Sequence, residues 1–220
     1  MQPMVPEKTI ERLSLYRRIL LQVRAEGAAM IFSHQLAAMA RVNAAQVRRD
    51  IMQLGCVGVP NGGYDAGDLL DSIDEFLYPP TFQKVALVGV GNLGRALLAH
   101  FAGRWRRLSV RAAFDKDPAK VGREFSGCPC HAVEALPRVV SELGISIGII
   151  ATPAAQAENV AELLCDAGVR GLLNFAPVRL PGPTHVYIEN VDLTSALDKV
   201  AFFARQCERE ALASGAGGTR

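Results

Sequence analysis

No apolar run in the chain approaches the ~20 residues needed to cross a bilayer, which argues against a helical membrane span. The opening MQPMVPEKTIERL lacks the apolar core of a secretion signal, so a cytoplasmic protein is expected. Cysteine is sparse: Cys56, Cys128, Cys130, Cys165 and Cys207. Their odd number and wide scatter fit reduced thiols better than a disulfide framework. Cys128-Pro129-Cys130 is too tightly spaced for a zinc pair and has no second pair nearby, so a plain loop and no metal are expected there. The four histidines, His34, His100, His131 and His185, sit in no context that suggests a nucleophile or general base. What remains is ordinary for a globular protein: 50% hydrophobic and 21% charged over 220 residues, enough for one large domain or two small ones.

The charge is unevenly spread. Residues 1–62 carry eight bases (Lys8, Arg12, Arg17, Arg18, Arg24, Arg41, Arg48, Arg49) against four acids (Glu7, Glu11, Glu26, Asp50), a net +4. The stretch 63–77 then holds Asp65, Asp68, Asp71, Asp74 and Glu75 and no base. A basic front with an acidic back suits a nucleic-acid reader, although such a surface can also arise without a ligand. Pro6-Glu7 opens a helix whose apolar positions run from Ile10 to Val23 and which Gly27 closes. Ser33 is the expected cap of a second helix through Leu36 and Met39. Asn43 caps a third, with Gln46 as its capping-box partner. Two short helices about a tight turn outline a helix-turn-helix. In the third helix Val47, Ile51 and Leu54 form a buried stripe, and Gln46, Arg49 and Gln53 share the opposite face with Arg48 on its flank. Arginine can grip guanine and glutamine adenine through paired hydrogen bonds; the alternative is a solvated face. The run CVGVPNGGYD around Pro60-Asn61-Gly62-Gly63 has hairpin chemistry and would form a wing. A fourth helix is expected from Asp65 to Leu77, ended by Tyr78-Pro79-Pro80, where the domain boundary falls.

A second kind of motif follows. Lys84–Val90 is an apolar strand leading into Gly89-Val90-Gly91-Asn92-Leu93-Gly94 and then an amphipathic helix through Leu97, Leu98 and Phe101. In that setting the first glycine makes the tight turn, the second admits a pyrophosphate and the third packs helix on strand. The phosphates would meet the positive end of the helix. A strand from Val110 to Phe114 ends at Asp115, positioned to accept the adenosine ribose hydroxyls and to favour NAD(H) over NADP(H); Lys116 beside it weakens that exclusion. Alternatively, Asp115 only starts the turn Asp-Lys-Asp-Pro. Strands at Ile145–Ala151, Gly171–Phe175 and His185–Glu189 alternate with helices. That predicts an α/β fold with a doubly wound parallel sheet and puts Thr152, Pro153 and Asn174 near the crevice. Without a visible catalytic group, such a site suits a sensor rather than an enzyme.

Several segments in order resemble the Rex family of redox-sensing transcriptional repressors: Ser14–Leu20, Gln46–Asp50, Gly62-Gly63-Tyr64, Val88–Gly94, Phe114–Pro118, Leu173–Pro177 and Glu189–Asp192. The resemblance spans about Pro6 to Arg205. It implies a homodimer that binds an inverted-repeat DNA operator, repressing genes of energy metabolism. NADH releases it, NAD+ competes, and the C-terminal helix swaps onto the partner subunit. It further implies DNA contacts by the wing at Asn61, Gly62 and Tyr64, cofactor contacts at Asp192 and Leu193, and a switch pair of Arg18 with Asp192. Three positions depart from the family pattern. Asn61 lies in a wing that lacks the usual arginine, and Leu193 replaces a phenylalanine. His100 or Phe101 stands where a tyrosine is expected. The organisation is then a winged-helix DNA-binding domain over 1–80, a Rossmann NAD(H)-binding domain over 81–191, a swapped dimerisation helix over 192–209 and a disordered tail over 210–220. Two other classes are open: a CoA- or nucleotide-binding enzyme fragment, which leaves the first eighty residues unexplained, and a DNA-binding protein whose Rossmann domain serves only to dimerise it.

Overall fold

The computed structural model describes residues 5–59, 62–78, 81–103 and 108–215. Pro60, Asn61, Pro79, Pro80 and the end of the tail, 216–220, therefore lie outside the described residues, and with them the tip of the expected wing and most of the expected domain boundary. The chain divides into two compact units, Met1–Thr81 and Phe82–Arg220.

The first unit is helical, with a small sheet. Its elements are α1 (Glu7–Ala25), β1 (Met30–Ile31), α2 (Ser33–Ala40), α3 (Ala44–Met52), β2 (Tyr64–Asp65) and α4 (Ala66–Leu77). Leu13, Tyr16 and Leu20 of α1 close over Leu36, Val47, Ile51, Leu69 and Ile73 in one buried cluster. Ser33 does not cap α2; Phe32 does, and its N–H is held by the Gln35 side chain at 2.9 Å, because a helix start needs an acceptor that Gln35 supplies from within. The turn into α3 bends through Arg41 in the left-handed region, φ 54°. Asn43 caps α3 by accepting from the Gln46 N–H at 2.7 Å, but the Gln46 side chain turns to Asp50 instead of back to the cap. The expected hairpin is also reduced: Val59 and Gly63 form a single bridge, and β2 pairs antiparallel with β1, a strand not foreseen from the sequence. Asp65 caps α4, accepting from the Gly67 and Asp68 N–H groups.

The second unit is built on β3 (Gln83–Val88), α5 (Asn92–Phe101), β4 (Leu108–Asp115), β5 (Glu124–Phe125), β6 (Cys128–Ala132), α6 (Leu136–Leu143), β7 (Ile147–Ile150), α7 (Ala154–Asp166), β8 (Gly171–Asn174), β9 (Tyr187–Asn190) and α8 (Leu193–Gly215). The sheet order is β5-β6-β4-β3-β7-β8-β9. All neighbours run parallel except β5 and β6, which pair antiparallel about a turn through Ser126 and Gly127, both at positive φ. The expected parallel sheet thus gains an antiparallel edge strand, and Cys128-Pro129-Cys130 lies on β6 rather than in a loop. Pro129 stands opposite Glu124 of β5, while the Cys130 N–H beside it donates to the Arg123 carbonyl.

One face of the sheet, with Val88, Phe114 and Ile150, is covered by Leu136 and Val140 of α6 and Val160 and Leu164 of α7. On the other, Val85 and Leu87 meet Leu98 of α5, while Phe101, Leu108, Val110, Ile147, Ile149 and Leu173 border an open apolar groove of about 320 Å³. From residue 193 to 211 every side chain of α8 is exposed. The helix also continues to Gly215, so 210–215 are helical rather than tail; Glu210, Ala211, Leu212 and Ala213 are all strong helix formers. No helix among the described residues is long and apolar enough to cross a membrane.

Candidate functional site

At the carboxyl ends of β3, β4 and β7 lies a cavity of about 480 Å³, the usual ligand position in a doubly wound sheet. Gly89, at φ 99°, turns the chain out of β3; a Cβ there would stand 2.5 Å from the Ala151 carbonyl oxygen. A Cβ on Gly94 would run into the Gly89 carbonyl, which is why helix and strand can meet this closely. Gly91 differs, since a Cβ there would meet nothing within 4 Å. Its backbone borders the open space of the cavity. No side chain caps α5, so the N–H groups of Asn92, Leu93 and Gly94 in its first turn remain available to an anion.

Asp115 ends β4 and is 7% exposed. Its Oδ2 accepts from the Val90 N–H (2.8 Å) and the Lys120 ammonium (2.9 Å), and its Oδ1 from the Asp117 N–H (2.9 Å). Burial pushes this carboxyl up, but the Asp117 N–H, Lys120 and the Val90 N–H outweigh it and hold the group below the usual carboxylate range. A carboxylate has about four acceptor sites, so one remains for a ligand hydroxyl. Thr152 follows β7, and its Oγ1 is, among the described residues, the buried side-chain polar atom left without a hydrogen-bond partner. Buried polar atoms are seldom left so, and Thr152 is one of the residues that line the cavity.

Of the residues expected to hold a cofactor, the cavity wall brings together Gly89, Gly91, Asp115, Lys116, Thr152 and Pro153. Val90 is committed to Asp115 through its N–H. Asn174 is 1% exposed and its amide is consumed internally, by Val178 O, Asn190 Oδ1 and the Ala176 N–H, so it ties the β8 and β9 ends and does not face the cavity. Asp192 accepts from the Ser195 N–H at 2.9 Å and caps α8, whose first residue, Leu193, is exposed. Lys120, Glu134, Gln156 and Asn159 also line the wall and were not anticipated. The signal for Lys120 was present in the run Asp115-Lys116-Asp117-Pro118, a turn that carries the chain back over the carboxylate.

In the first unit α3 presents Arg48, Arg49 and Gln53 to solvent, while Gln46 is half-buried. The Arg48 guanidinium donates to Ser33 Oγ (3.2 Å) and that of Arg49 to Gln46 Oε1 (3.1 Å). Beneath them Asp50, 1% exposed, accepts from Arg12 Nε and Nη2, Tyr16 Oη and Gln46 Nε2 at 2.6 to 3.0 Å. The helical wheel places Asp50 but gives no hint of this cluster, two of whose partners, Arg12 and Tyr16, lie far back in the chain on α1. Gly62 donates its N–H to Val59 O, and Tyr64 is half-buried, its ring where a Cβ on Gly58 would collide. Arg18 is exposed on α1. Among the described residues no cluster of three His, Cys, Asp or Glu is placed to hold a metal ion.

Two family models match the chain: one described as a CoA binding domain over residues 82–178, the other as a putative DNA-binding protein N-terminus over residues 4–51. The chain is 40% identical to the redox-sensing transcriptional repressor Rex of Solidesulfovibrio magneticus over 90% of each chain. To that of Maridesulfovibrio salexigens it is 41% identical over 90% of this chain and 95% of the relative. Among solved structures it is similar to RSP, a Rex-family repressor, in complex with β-NAD+ and operator DNA: 27% identity over the whole of both chains, TM-score 0.86. RSP in complex with β-NADH matches with TM-score 0.83 over 97% of this chain and 99% of RSP.

Proposed function

The chain belongs to the Rex family of redox-sensing transcriptional repressors, and from that membership we propose that it acts as a homodimer on an inverted-repeat operator and leaves the DNA when NADH binds. The family comprises repressors rather than enzymes. Acting on DNA, the protein works in the cytoplasm. The observation that carries the reading is the unpartnered buried hydroxyl of Thr152, set in a cavity that the glycine backbone leaves open.

Gly89 and Gly91, with the N–H groups of Asn92, Leu93 and Gly94, receive a pyrophosphate. The one free acceptor site of Asp115 takes a ribose hydroxyl, with Lys116 at the rim and Thr152 and Pro153 on the opposite wall. The nicotinamide supplies the signal, being a cation when oxidised and neutral when reduced. Apolar groups such as Leu193 from the partner's helix resist desolvating a cation, so the reduced form is held more tightly. That difference in affinity is what any ligand-driven shift requires. Dimerisation is supported by α8, where Leu197 (68% exposed), Val200, Phe202 and Phe203 face solvent in a single copy, and by the apolar groove beside β3 and β7. On the DNA side, Arg49 reads a base while Arg48 contacts phosphate. Gln53 and the wing residues Asn61, Gly62 and Tyr64 supply further DNA contacts.

Arg18 and Asp192 form the pair that reports the bound state. Operator binding followed against NADH concentration tests the scheme. In the wild type NADH lowers operator affinity, and in Arg18→Ala it does so weakly although NADH still binds. Were NADH to leave wild-type operator affinity unchanged, the second unit would be a dimerisation platform only.

A further inference from the structure

The hydrogen bonds around Asp50 form a chain that runs from α1 to the exposed end of an arginine on α3. Arg12 makes a paired contact with Asp50, Nε to Oδ2 at 2.6 Å and Nη2 to Oδ1 at 2.7 Å. Tyr16 Oη adds a third donor at 3.0 Å and Gln46 Nε2 a fourth at 2.8 Å, so this buried carboxylate has as many donors as it can accept. An ionised carboxylate only accepts, which fixes the amide of Gln46: its NH2 must face Asp50 and its Oε1 must face away. The Oε1 then accepts from Arg49 Nη2 at 3.1 Å.

We propose that Gln46 reads no base, and that Arg12, Asp50 and Gln46 are positioning residues that set operator discrimination by holding the guanidinium of Arg49. The inference rests on the DNA-reading role given to α3 above. Paired recognition of adenine would need both the NH2 and the oxygen of the Gln46 amide. Freeing them strips a donor from a carboxylate that is 1% exposed, a position where a lost partner is costly. Arg49 has the opposite standing: its guanidinium carries five N–H donors, and one spent on Gln46 leaves enough for the O6 and N7 of a guanine. Pre-orienting it from below removes part of the ordering cost of that contact. An arginine on a different helix from the reader thus governs which sequence is read.

The test begins with an operator selected by the wild-type protein from a pool of random duplexes. Affinity for that operator and for single-base-pair variants of it is measured, at fixed salt, for wild type, Gln46→Met, Arg49→Ala and the double variant. The expected result is that Gln46→Met lowers discrimination several-fold in the wild-type background and changes nothing once Arg49 is already alanine. Equal losses in both backgrounds would show that Gln46 reads DNA directly and overturn the proposal. A second variant, Arg12→Lys, keeps the charge but loses the paired geometry; discrimination should fall while affinity for random DNA stays. Unchanged discrimination in Arg12→Lys would equally overturn it. A pool that yields no preferred sequence would instead sink the DNA-reading role of α3 itself, and the proposal with it.

Discussion

Three of the four acceptor sites of Asp115 are filled, by the Val90 and Asp117 N–H groups and by the Lys120 ammonium. Lys120 partly neutralises the acid that is meant to repel a 2′-phosphate. Lys120→Met should therefore widen the preference for NADH over NADPH, chiefly by weakening NADPH binding. Asp115→Ala should narrow it by about 1.5–3 kcal/mol, the span of one hydrogen bond to a charged group. Calorimetric titration with both nucleotides decides: NADPH bound more tightly by Lys120→Met would refute the argument. Spacing places an acid at Asp115 but not its donors, which come from the Val90 and Asp117 backbone and from Lys120; Asn174 shows the converse failure. Its position at the carboxyl end of a strand suggested a ligand contact, yet its amide is spent on Val178, Asn190 and Ala176, since a buried amide takes whatever partners lie nearest. Burial, then the neighbouring Cys130, pushes the Cys128 thiol up to about 11, so it stays protonated at neutral pH.

Among the elements, the long periodic helices and the apolar strands were legible, and the short pieces were not. β1 has two residues and β5 two, too few for any pattern, and each exists because a partner strand passes alongside. The tie between α1 and α3 is of the same kind. Asp50 tends upward through burial, but bonds from Arg12, Gln46 and Tyr16 prevail and lower its pKa in the folded protein. Its contribution to stability is thus present above the ordinary carboxylate pKa and lost as pH falls through the lower folded value. Arg12→Met reverses the sign. With the cation gone, burial prevails and the folded pKa rises above the unfolded one, so the variant is penalised most at neutral pH. The expected cost is about 3 kcal/mol at pH 7, as for a broken, largely buried ion pair. That cost should shrink as the solution is acidified toward pH ~4, where the carboxyl gains its proton. Urea midpoints read by circular dichroism at two pH values suffice; a penalty independent of pH would contradict the argument.

For the whole molecule, the chain divides after Thr81, close to the proline pair that follows Tyr78 in the sequence. A single copy, however, leaves α8 without a covering layer. Its residues 193 to 211 are all exposed, and Leu197, Val200, Phe202 and Phe203 are large and apolar. An isolated helix of this length is marginal in water, and most helical stability comes from packing an apolar face. In the homodimer proposed above, a second copy would cover this face, and the order of α8 would be governed by mass action. Dilution should lower both the helical content assigned to α8 and the melting temperature of the second unit, while the first unit, whose core closes within one chain, melts at the same temperature at every concentration. Calorimetric scans over a hundredfold range of protein concentration would reveal this, and superimposable scans would rule it out. The consequence reaches the cell: the number of copies per cell becomes a second input beside the nucleotide ratio. A cell that makes too few of them would hold chains that are folded at the reading end and unfinished at the sensing end.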